Sequence, residues 1–332
     1  MKILYSTGNR LGGGEQLRRY MEYNRHEIKT ACYLRSSENI LHTDWTLDAL
    51  TNKYSKGTRI GLRKLYGYDG GPHINLEKGY HLKEEIKKYD PDLIICDGEP
   101  IVSNLAKSLG KRLWYCSPLH LLDGIEWESG SLRYFSLLDG TRKMLYRLPR
   151  AERVYVYSPF GDINFRPLLK SGYEWMQPYY VGGRGGEDGM AIIEDGDRIS
   201  QLSKQLNSVK PYDIKLVSPF SYNFSHLRNY KLEEYKSELG KSRWLFTTGE
   251  TSYVADGVYN GKRICIAPNL RDAEGLLNAI LIKRYNLGND VGQIEYMKQY
   301  GIEILENSYK ETGEQELSKQ DRSTLDEAVE QL

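Results

Sequence analysis

Short apolar runs alternate with amphipathic stretches through the first half of the chain. Lys2–Ser6, Lys29–Leu34, Asp92–Cys96, Leu113–Cys116 and Val154–Tyr157 have the apolar character of buried strands. Glu15–Asn24, Lys78–Lys88 and Ile101–Leu109 have one apolar and one polar face, and each follows a strand or a glycine turn, so they predict helices. Strand, helix and strand in this order make right-handed crossovers and therefore a parallel sheet. Residues 38 to 76 break the rhythm. They hold Trp45, many polar positions and the basic stretch KYSKGTRIGLRKLYGYDGG, and they read as a long loop excursion.

A second rhythm follows Asn164–Gly172. Pro178–Val181 predicts a strand, Gly182–Gly189 a glycine-rich loop, Ala191–Leu206 a largely helical stretch and Asp213–Val217 another strand. The pattern then sharpens: Trp244–Thr247 strand, Thr251–Tyr259 helix closed by Gly261, Arg263–Ala267 strand ending at Pro268, and Ala273–Tyr285 helix. The expected organisation is therefore a first α/β unit over 1–168, a second over 169–313 and a charged, helix-prone tail over 314–332.

Composition adds three constraints. The chain has 332 residues, enough for two domains, and no run approaches the ~18 apolar residues of a membrane-spanning helix. The start, MKILYSTGNR, reads as a strand running into a glycine loop rather than a secretion signal, which predicts a cytoplasmic protein. Cys32, Cys96, Cys116 and Cys265 each lie in a strand-like run without the close pairing of zinc ligands, so they read as buried thiols and no metal site is expected. The net charge of +1 conceals an asymmetry: residues 1–170 hold 27 Lys and Arg against 20 Asp and Glu, and the remainder hold 19 against 25. A basic first half suits an anionic partner, and equally an ordinary solvated surface.

Candidate chemistry gathers at strand ends. Gly12, Gly13 and Gly14, between a strand and a helix, offer backbone N–H groups to a phosphate, or simply form a tight turn. Glu15 is next, either a base or a carboxylate favoured by the helix dipole. YDPDLIICDGEP closes a strand with Asp97 and Glu99, placed for general-base work or for capping and turn formation. In YCSPLHLLDG, His120 holds a comparable edge position and could deprotonate a hydroxyl near neutral pH. The most specific block is SRWLFTTGETSYVADGVYNGKRICIAPNLRDAEGLLNA, residues 242–279: Thr247, Thr248, Gly249 and the following helix start could receive a diphosphate, with Asp256 one or two turns along for ribose hydroxyls.

That block resembles the nucleotide-sugar-binding region of GT-B glycosyltransferases, nearest the peptidoglycan N-acetylglucosaminyltransferase and related UDP-sugar enzymes. The matching positions are Thr248-Gly249, Asp256, Gly261-Lys262, Pro268 and the helix from Asp272 to Ala279. Asp256 stands for the usual Glu, and Glu274-Gly275 for a pair that normally carries Gln next to the sugar. FRPLL and GGRGG resemble the linker and first glycine loop of the second domain. The resemblance implies two Rossmann-like doubly wound domains facing across a cleft, with the donor held by Gly182, Gly183, Arg184, Thr248, Gly249, Glu250, Thr251, Asp256, Asp272, Glu274 and Asn278. It implies an inverting hexosyltransferase using a UDP-sugar as co-substrate and no cofactor, with Asp97, Glu15 or His120 as base. The basic KYSKGTRIGLRK and RKMLYRLPRAER segments suit an anionic acceptor, either DNA with hydroxymethylated bases or a lipid carrier. Alternatives are a nucleotide-sugar 2-epimerase and a non-catalytic sugar-nucleotide or nucleic-acid binding protein.

Overall fold

The structure is a computed structural model and describes residues 1–8, 11–32, 43–47, 76–127, 135–161, 168–182, 188–192, 214–217, 228–230, 234–268, 272–290 and 324–332. In chain order the first unit comprises β1 (Lys2–Thr7), α1 (Leu11–Tyr23), β2 (Glu27–Cys32), β3 (Trp45–Thr46), α2 (Leu76–Tyr89), β4 (Leu93–Asp97), α3 (Pro100–Leu109), β5 (Leu113–Cys116), α4 (Leu121–Gly124), α5 (Phe135–Leu145), β6 (Arg153–Tyr157) and β7 (Glu174–Met176). The second comprises β8 (Asp188–Ile192), β9 (Ile214–Val217), β10 (Arg228–Tyr230), α6 (Tyr235–Leu239), β11 (Ser242–Thr247), α7 (Thr251–Tyr259), β12 (Arg263–Ile266), α8 (Ala273–Arg284) and β13 (Gly288–Asp290). A final helix, α9 (Leu325–Glu330), carries a capping box between Thr324 and Glu327.

Both sheets are parallel and doubly wound. The first runs β3-β2-β1-β4-β5-β6-β7 and the second β10-β9-β8-β11-β12-β13. Chain order reverses between β1 and β4 in one and between β8 and β11 in the other, and ligands of open α/β sheets bind at the carboxyl ends of strands flanking such a point. In β1 and β4 alternate side chains serve opposite layers. Ile3, Tyr5, Leu93 and Ile95 face Leu17 and Tyr20 of α1 and Leu325, Ala328 and Val329 of α9. Leu4, Ile94 and Cys96 face Leu82 and Ile86 of α2 and Ile101, Val102 and Ala106 of α3. Burial on both faces explains why these strands read as continuous apolar runs. All four cysteines are buried.

Three expectations change. The strand after the first unit lies at Glu174–Met176 rather than Pro178–Val181, and it pairs with β6 as the last strand of the first sheet. The chain therefore changes sheet after Met176. The amides that a strand at 179–181 would have put into a ladder are taken by side chains: Tyr179 N–H donates to Tyr157 Oη at 2.8 Å and Val181 N–H to Asp256 Oδ1 at 2.6 Å. Ala191 and Ile192, expected to open a helix, belong to β8 at the centre of the second sheet, because a short apolar run fits either element until its neighbours decide. Helix α1 starts at Leu11, so Gly12, Gly13 and Gly14 form its first turn and not a separate loop. The basic stretch at 53–71 and the tail from 314 to 323 lie outside the described residues.

The two units share apolar core. Leu121, Ile125, Val156 and Phe160 of the first pack with Val254, Val258, Ile264, Ile266, Ala279 and Ile282 of the second. Beside them Leu119, Leu122, Leu138 and Leu145 meet Ala273, Leu276 and Leu277. Phe160→Ala, at a fully buried site in this junction, is expected to cost about 3–5 kcal/mol. Differential scanning calorimetry should show both units shifting together. Two transitions of which only one moves would show that the units unfold separately.

Candidate functional site

The turn between β11 and α7 lies at the carboxyl end of a strand that borders the switch point of the second sheet. Gly249 sits at φ +105°, and a Cβ there would stand 2.8 Å from Gly275 Cα and 2.9 Å from Ile266 Cγ2. A Cβ on Gly275 would be 2.5 Å from the Thr248 carbonyl oxygen. The two glycines thus let the first turn of α8 lie against the β11–α7 turn, backbone on backbone. This accounts for Gly275 at the position where the resembled enzymes carry Gln.

Side chains then lock the turn. Asn278, fully buried, donates from Nδ2 to Gly249 O at 2.6 Å and to Thr251 Oγ1 at 3.0 Å. Thr251 N–H, at the start of α7, donates to Glu274 Oε1 at 2.8 Å, so a carboxylate occupies one of the free amides of that helix end. Asp272 caps α8 by accepting from Glu274 N–H at 3.1 Å. The Thr248 hydroxyl lies 2.7 and 2.8 Å from the two oxygens of Glu250. Burial pushes the Glu250 carboxyl up to about 7, the charge of Asp272 adds to this, and the hydrogen bond from Thr248 opposes it. Thr248, Gly249, Glu250, Thr251, Asp272, Glu274 and Asn278 therefore form one cluster.

Asp256 stands apart from that cluster. It points from α7 into the junction, fully buried, and binds Arg19 of α1 through both oxygens, Nη1–Oδ1 2.8 Å and Nη2–Oδ2 2.7 Å. Tyr235 Oη donates to it at 2.6 Å, and the Val181 amide supplies the fourth bond. Burial pushes its carboxyl up and Arg19 pulls it down; the bidentate geometry favours the ionised pair. Every strong acceptor direction is thus used by protein donors, and ribose contact by Asp256 requires this set to open.

Glu15, expected as a base, belongs to the same network. Arg19 Nε binds its Oε1 at 2.7 Å and Arg18 reaches it at 2.7 and 2.9 Å. Burial alone would raise its carboxyl, but Arg19 and then Arg18 outweigh it and hold it below the ordinary range. A carboxylate so held is a weak proton acceptor. Glu99, by contrast, is the cap of α3, accepting from Ile101 N–H at 2.7 Å and Val102 N–H at 2.6 Å. Asp97 ends β4, buried, opposite Thr7 of β1; burial first, and the Asp97 charge in addition, push up the neighbouring Tyr5, Cys116 and Tyr157. His120 follows β5 in a turn capped by Ser117 and lies 3.5 Å from Asp123. Leu119, next to His120, belongs to the same apolar cluster as Ala273, Leu276 and Leu277 of α8. Gly182 has open space around it, while Gly183 and Arg184 lie outside the described residues.

Sequence reasoning missed Arg19, Tyr235 and the pair Gln16–Ser252, whose Nε2–Oγ bond of 2.6 Å also joins α1 to α7. Glu15 and Arg19 at i,i+4 spacing give a local hint, but Asp256 is 237 positions away and nothing near Arg19 announces it. Among the described residues no cluster of His, Cys, Asp and Glu has the geometry to hold a metal ion, and no helix is long and apolar enough to cross a membrane.

No protein-family model and no curated protein sequence matches the chain. Solved structures match at low identity. CalG4, the calicheamicin glycosyltransferase, is 14% identical with a TM-score of 0.57 over 92% of this chain and 89% of that one. The Streptomyces sp. SF2575 glycosyltransferase SsfS6, complexed with thymidine diphosphate, is 12% identical with a TM-score of 0.61 over the whole of both chains. The spinosyn rhamnosyltransferase SpnG, also complexed with thymidine diphosphate, is 9% identical with a TM-score of 0.60 over 94% and 92%. These likenesses establish the GT-B fold, and they do not single out the peptidoglycan N-acetylglucosaminyltransferase branch.

Asp256→Ala would remove the two bonds Arg19 makes across the junction, leaving it Glu15 and the Tyr179 carbonyl, and should destabilise the protein by about 1.5–3 kcal/mol. Urea unfolding measures this, and a loss under 1 kcal/mol would show that the pair is solvated in solution. Glu250→Gln tests the raised carboxyl. With the folded pKa above the unfolded value, the wild-type contribution is present in full below ~4.5 and lost as pH rises through about 7. The Gln variant should therefore lose less stability than wild type between pH 5 and pH 8, roughly 1–3 kcal/mol less by parallel melts.

Proposed function

We infer that the chain transfers a hexose from a nucleoside diphosphate donor, held by its second unit, to an acceptor hydroxyl at the carboxyl edge of its first sheet, with inversion. The observation that carries this reading is the Thr247–Thr251 turn at the switch point of the second sheet, where α7 begins. A helix start of this kind favours an anion, and the Glu274 carboxylate already bonded to Thr251 N–H occupies the position a phosphate oxygen would take. The GT-B fold supports it, as do the thymidine diphosphate complexes of SsfS6 and SpnG. The resemblance of 242–279 to UDP-sugar enzymes favours uridine diphosphate among the pyrimidine donors.

In this reading the acceptor oxygen attacks the anomeric carbon while the bond to the diphosphate breaks, its electron pair leaving on the phosphate. The Thr251 N–H at the start of α7 stabilises that charge once the Glu274 carboxylate releases it. No resident cofactor or metal is required. The acceptor is anionic, either hydroxymethylated DNA or a lipid carrier met from the cytoplasm. The exposed Lys143, Arg147 and Arg150, with Arg142 set 5.6 Å from the ring of the exposed Tyr146, support that choice.

The experiment is titration of the intact protein with uridine and thymidine diphosphate, followed by incubation with the matching sugar donors alone and with candidate acceptors. At ~100 Kd of ligand the folded state should gain about 2.7 kcal/mol, visible as a higher melting temperature. Donor alone should be hydrolysed slowly at most. Epimerised donor would identify a 2-epimerase, and the absence of any stabilisation by either nucleotide would overturn the reading.

A further inference from the structure

Helix α7 begins at the turn assigned above to the donor's diphosphate, and its first amide is already taken. Tyr253 and Val254 N–H close onto the Glu250 carbonyl at 3.1 and 3.0 Å. Thr251 N–H, ahead of them, has no partner within the helix and is met from α8, by Glu274 Oε1 at 2.8 Å. Three features deliver that carboxylate. Asp272 accepts from Glu274 N–H at 3.1 Å and fixes its backbone. Gly275 lets the first turn of α8 press on Thr248, where a Cβ would stand 2.5 Å from the carbonyl oxygen. Asn278, one turn on, donates to Gly249 O at 2.6 Å and to Thr251 Oγ1 at 3.0 Å, clamping the same two elements.

The bond adds a third carboxylate to two others. Glu250 and Glu274 are buried, and Asp272 caps the helix that carries Glu274. Burial first, then the charge of Asp272 and, more weakly, that of Glu274 push the Glu250 carboxyl up to about 7, against the hydrogen bond from Thr248. A further anion entering here meets like charge in a poorly solvated site. Its oxygen also seeks an N–H that Glu274 holds. The packed turn is moreover not fully satisfied: Asn278 Oδ1 is buried with no hydrogen-bond partner among the described residues, although Nδ2 is bonded twice. Buried polar atoms are seldom left so, which favours a turn with a second arrangement.

We propose that Glu274 is a resident competitor for the anion site at the start of α7, displaced from Thr251 N–H when a diphosphate enters and returning to it as the diphosphate leaves. This rests on the transferase reading above. The ligand replaces a carboxylate that already fills the place, so rotation of one side chain opens the site. Carboxylate and phosphate oxygens make the same kind of charge-assisted bond to an amide, and the exchange therefore leaves Thr251 N–H satisfied in both states. The apparent affinity of the site is its intrinsic affinity scaled by the fraction of molecules in which Glu274 has let go. Neutral groups cannot displace it; a diphosphate, with several charged oxygens, can.

The test titrates the intact wild type, Glu274→Gln and Asp272→Asn with inorganic pyrophosphate, uridine diphosphate and thymidine diphosphate by calorimetry. None of these probes carries the donor sugar, so contact of Glu274 with a sugar does not enter. Glu274→Gln keeps the shape and removes the charge, and it should bind pyrophosphate and at least one nucleotide at least about fivefold more tightly than wild type, the difference between a charged and a neutral acceptor on one N–H. Asp272→Asn removes a neighbouring charge and leaves Glu274 on Thr251, so its gain should be smaller. ¹⁵N-threonine labelling gives a second readout: the Thr251 amide resonance of wild type should move on addition of pyrophosphate, and in Glu274→Gln it should differ before any ligand is added. Pyrophosphate bound no more tightly by Glu274→Gln than by wild type, an equal gain in Asp272→Asn, or a Thr251 amide indifferent to pyrophosphate would each overturn the proposal. The wild-type amide response decides the matter even if the substitution unfolds the protein. If Glu274→Gln gains on pyrophosphate while neither nucleotide binds any of the three proteins, the transferase reading fails and the competitor stands.

Discussion

The ion pair between Arg19 and Asp256 fixes how the two units stand to each other. Each side chain is fully or nearly fully buried, and each charge would be costly to desolvate alone. The pair persists because both guanidinium arms meet both carboxylate oxygens, and because the remaining donors and acceptors are also used: Glu15 and the Tyr179 carbonyl on one side, Tyr235 and the Val181 amide on the other. Helix α1 of the first unit, α6 and α7 of the second and the connecting segment at 179–181 all converge there. The glycine turn at the start of α1 and the threonine turn at the start of α7 are consequently held on two packed helices.

Asp256, which the sequence offered as a ribose ligand, is spent on joining the units. The neighbouring cluster follows a different logic. Gly249 and Gly275 remove side chains so that two backbones can touch, and Asn278 and Glu274 bond the turn that results.

Burial sorts the acidic and basic candidates by role. Glu15 is neutralised by arginines, Glu99 caps a helix, Glu250 is raised by burial beside Asp272, and Asp256 closes the junction. His120 alone among the candidate bases retains unpaired nitrogen atoms among the described residues. The same strand-end location therefore hosts capping, paired and unpaired side chains, distinguished by what each touches.

Local pattern determined much of the architecture. β5 lies at Leu113–Cys116 and α7 at Thr251–Tyr259 as expected, because burial on both faces leaves continuous apolar runs, and helix starts and stops carry their own residues. The 242–279 block likewise announced the turn between β11 and α7, since glycine at a positive φ and small hydroxyl residues are local requirements. Where periodicity is short, as at Glu174–Met176 and Asp188–Ile192, strand partners made the decision. The partners of Asp256 and Glu15 came only from tertiary structure: Arg19 in a distant helix for the one, and a pair of arginines on one helical face for the other. An ionisable side chain takes its chemistry from the charges and solvent around it, and those are set by contacts between segments remote in the chain.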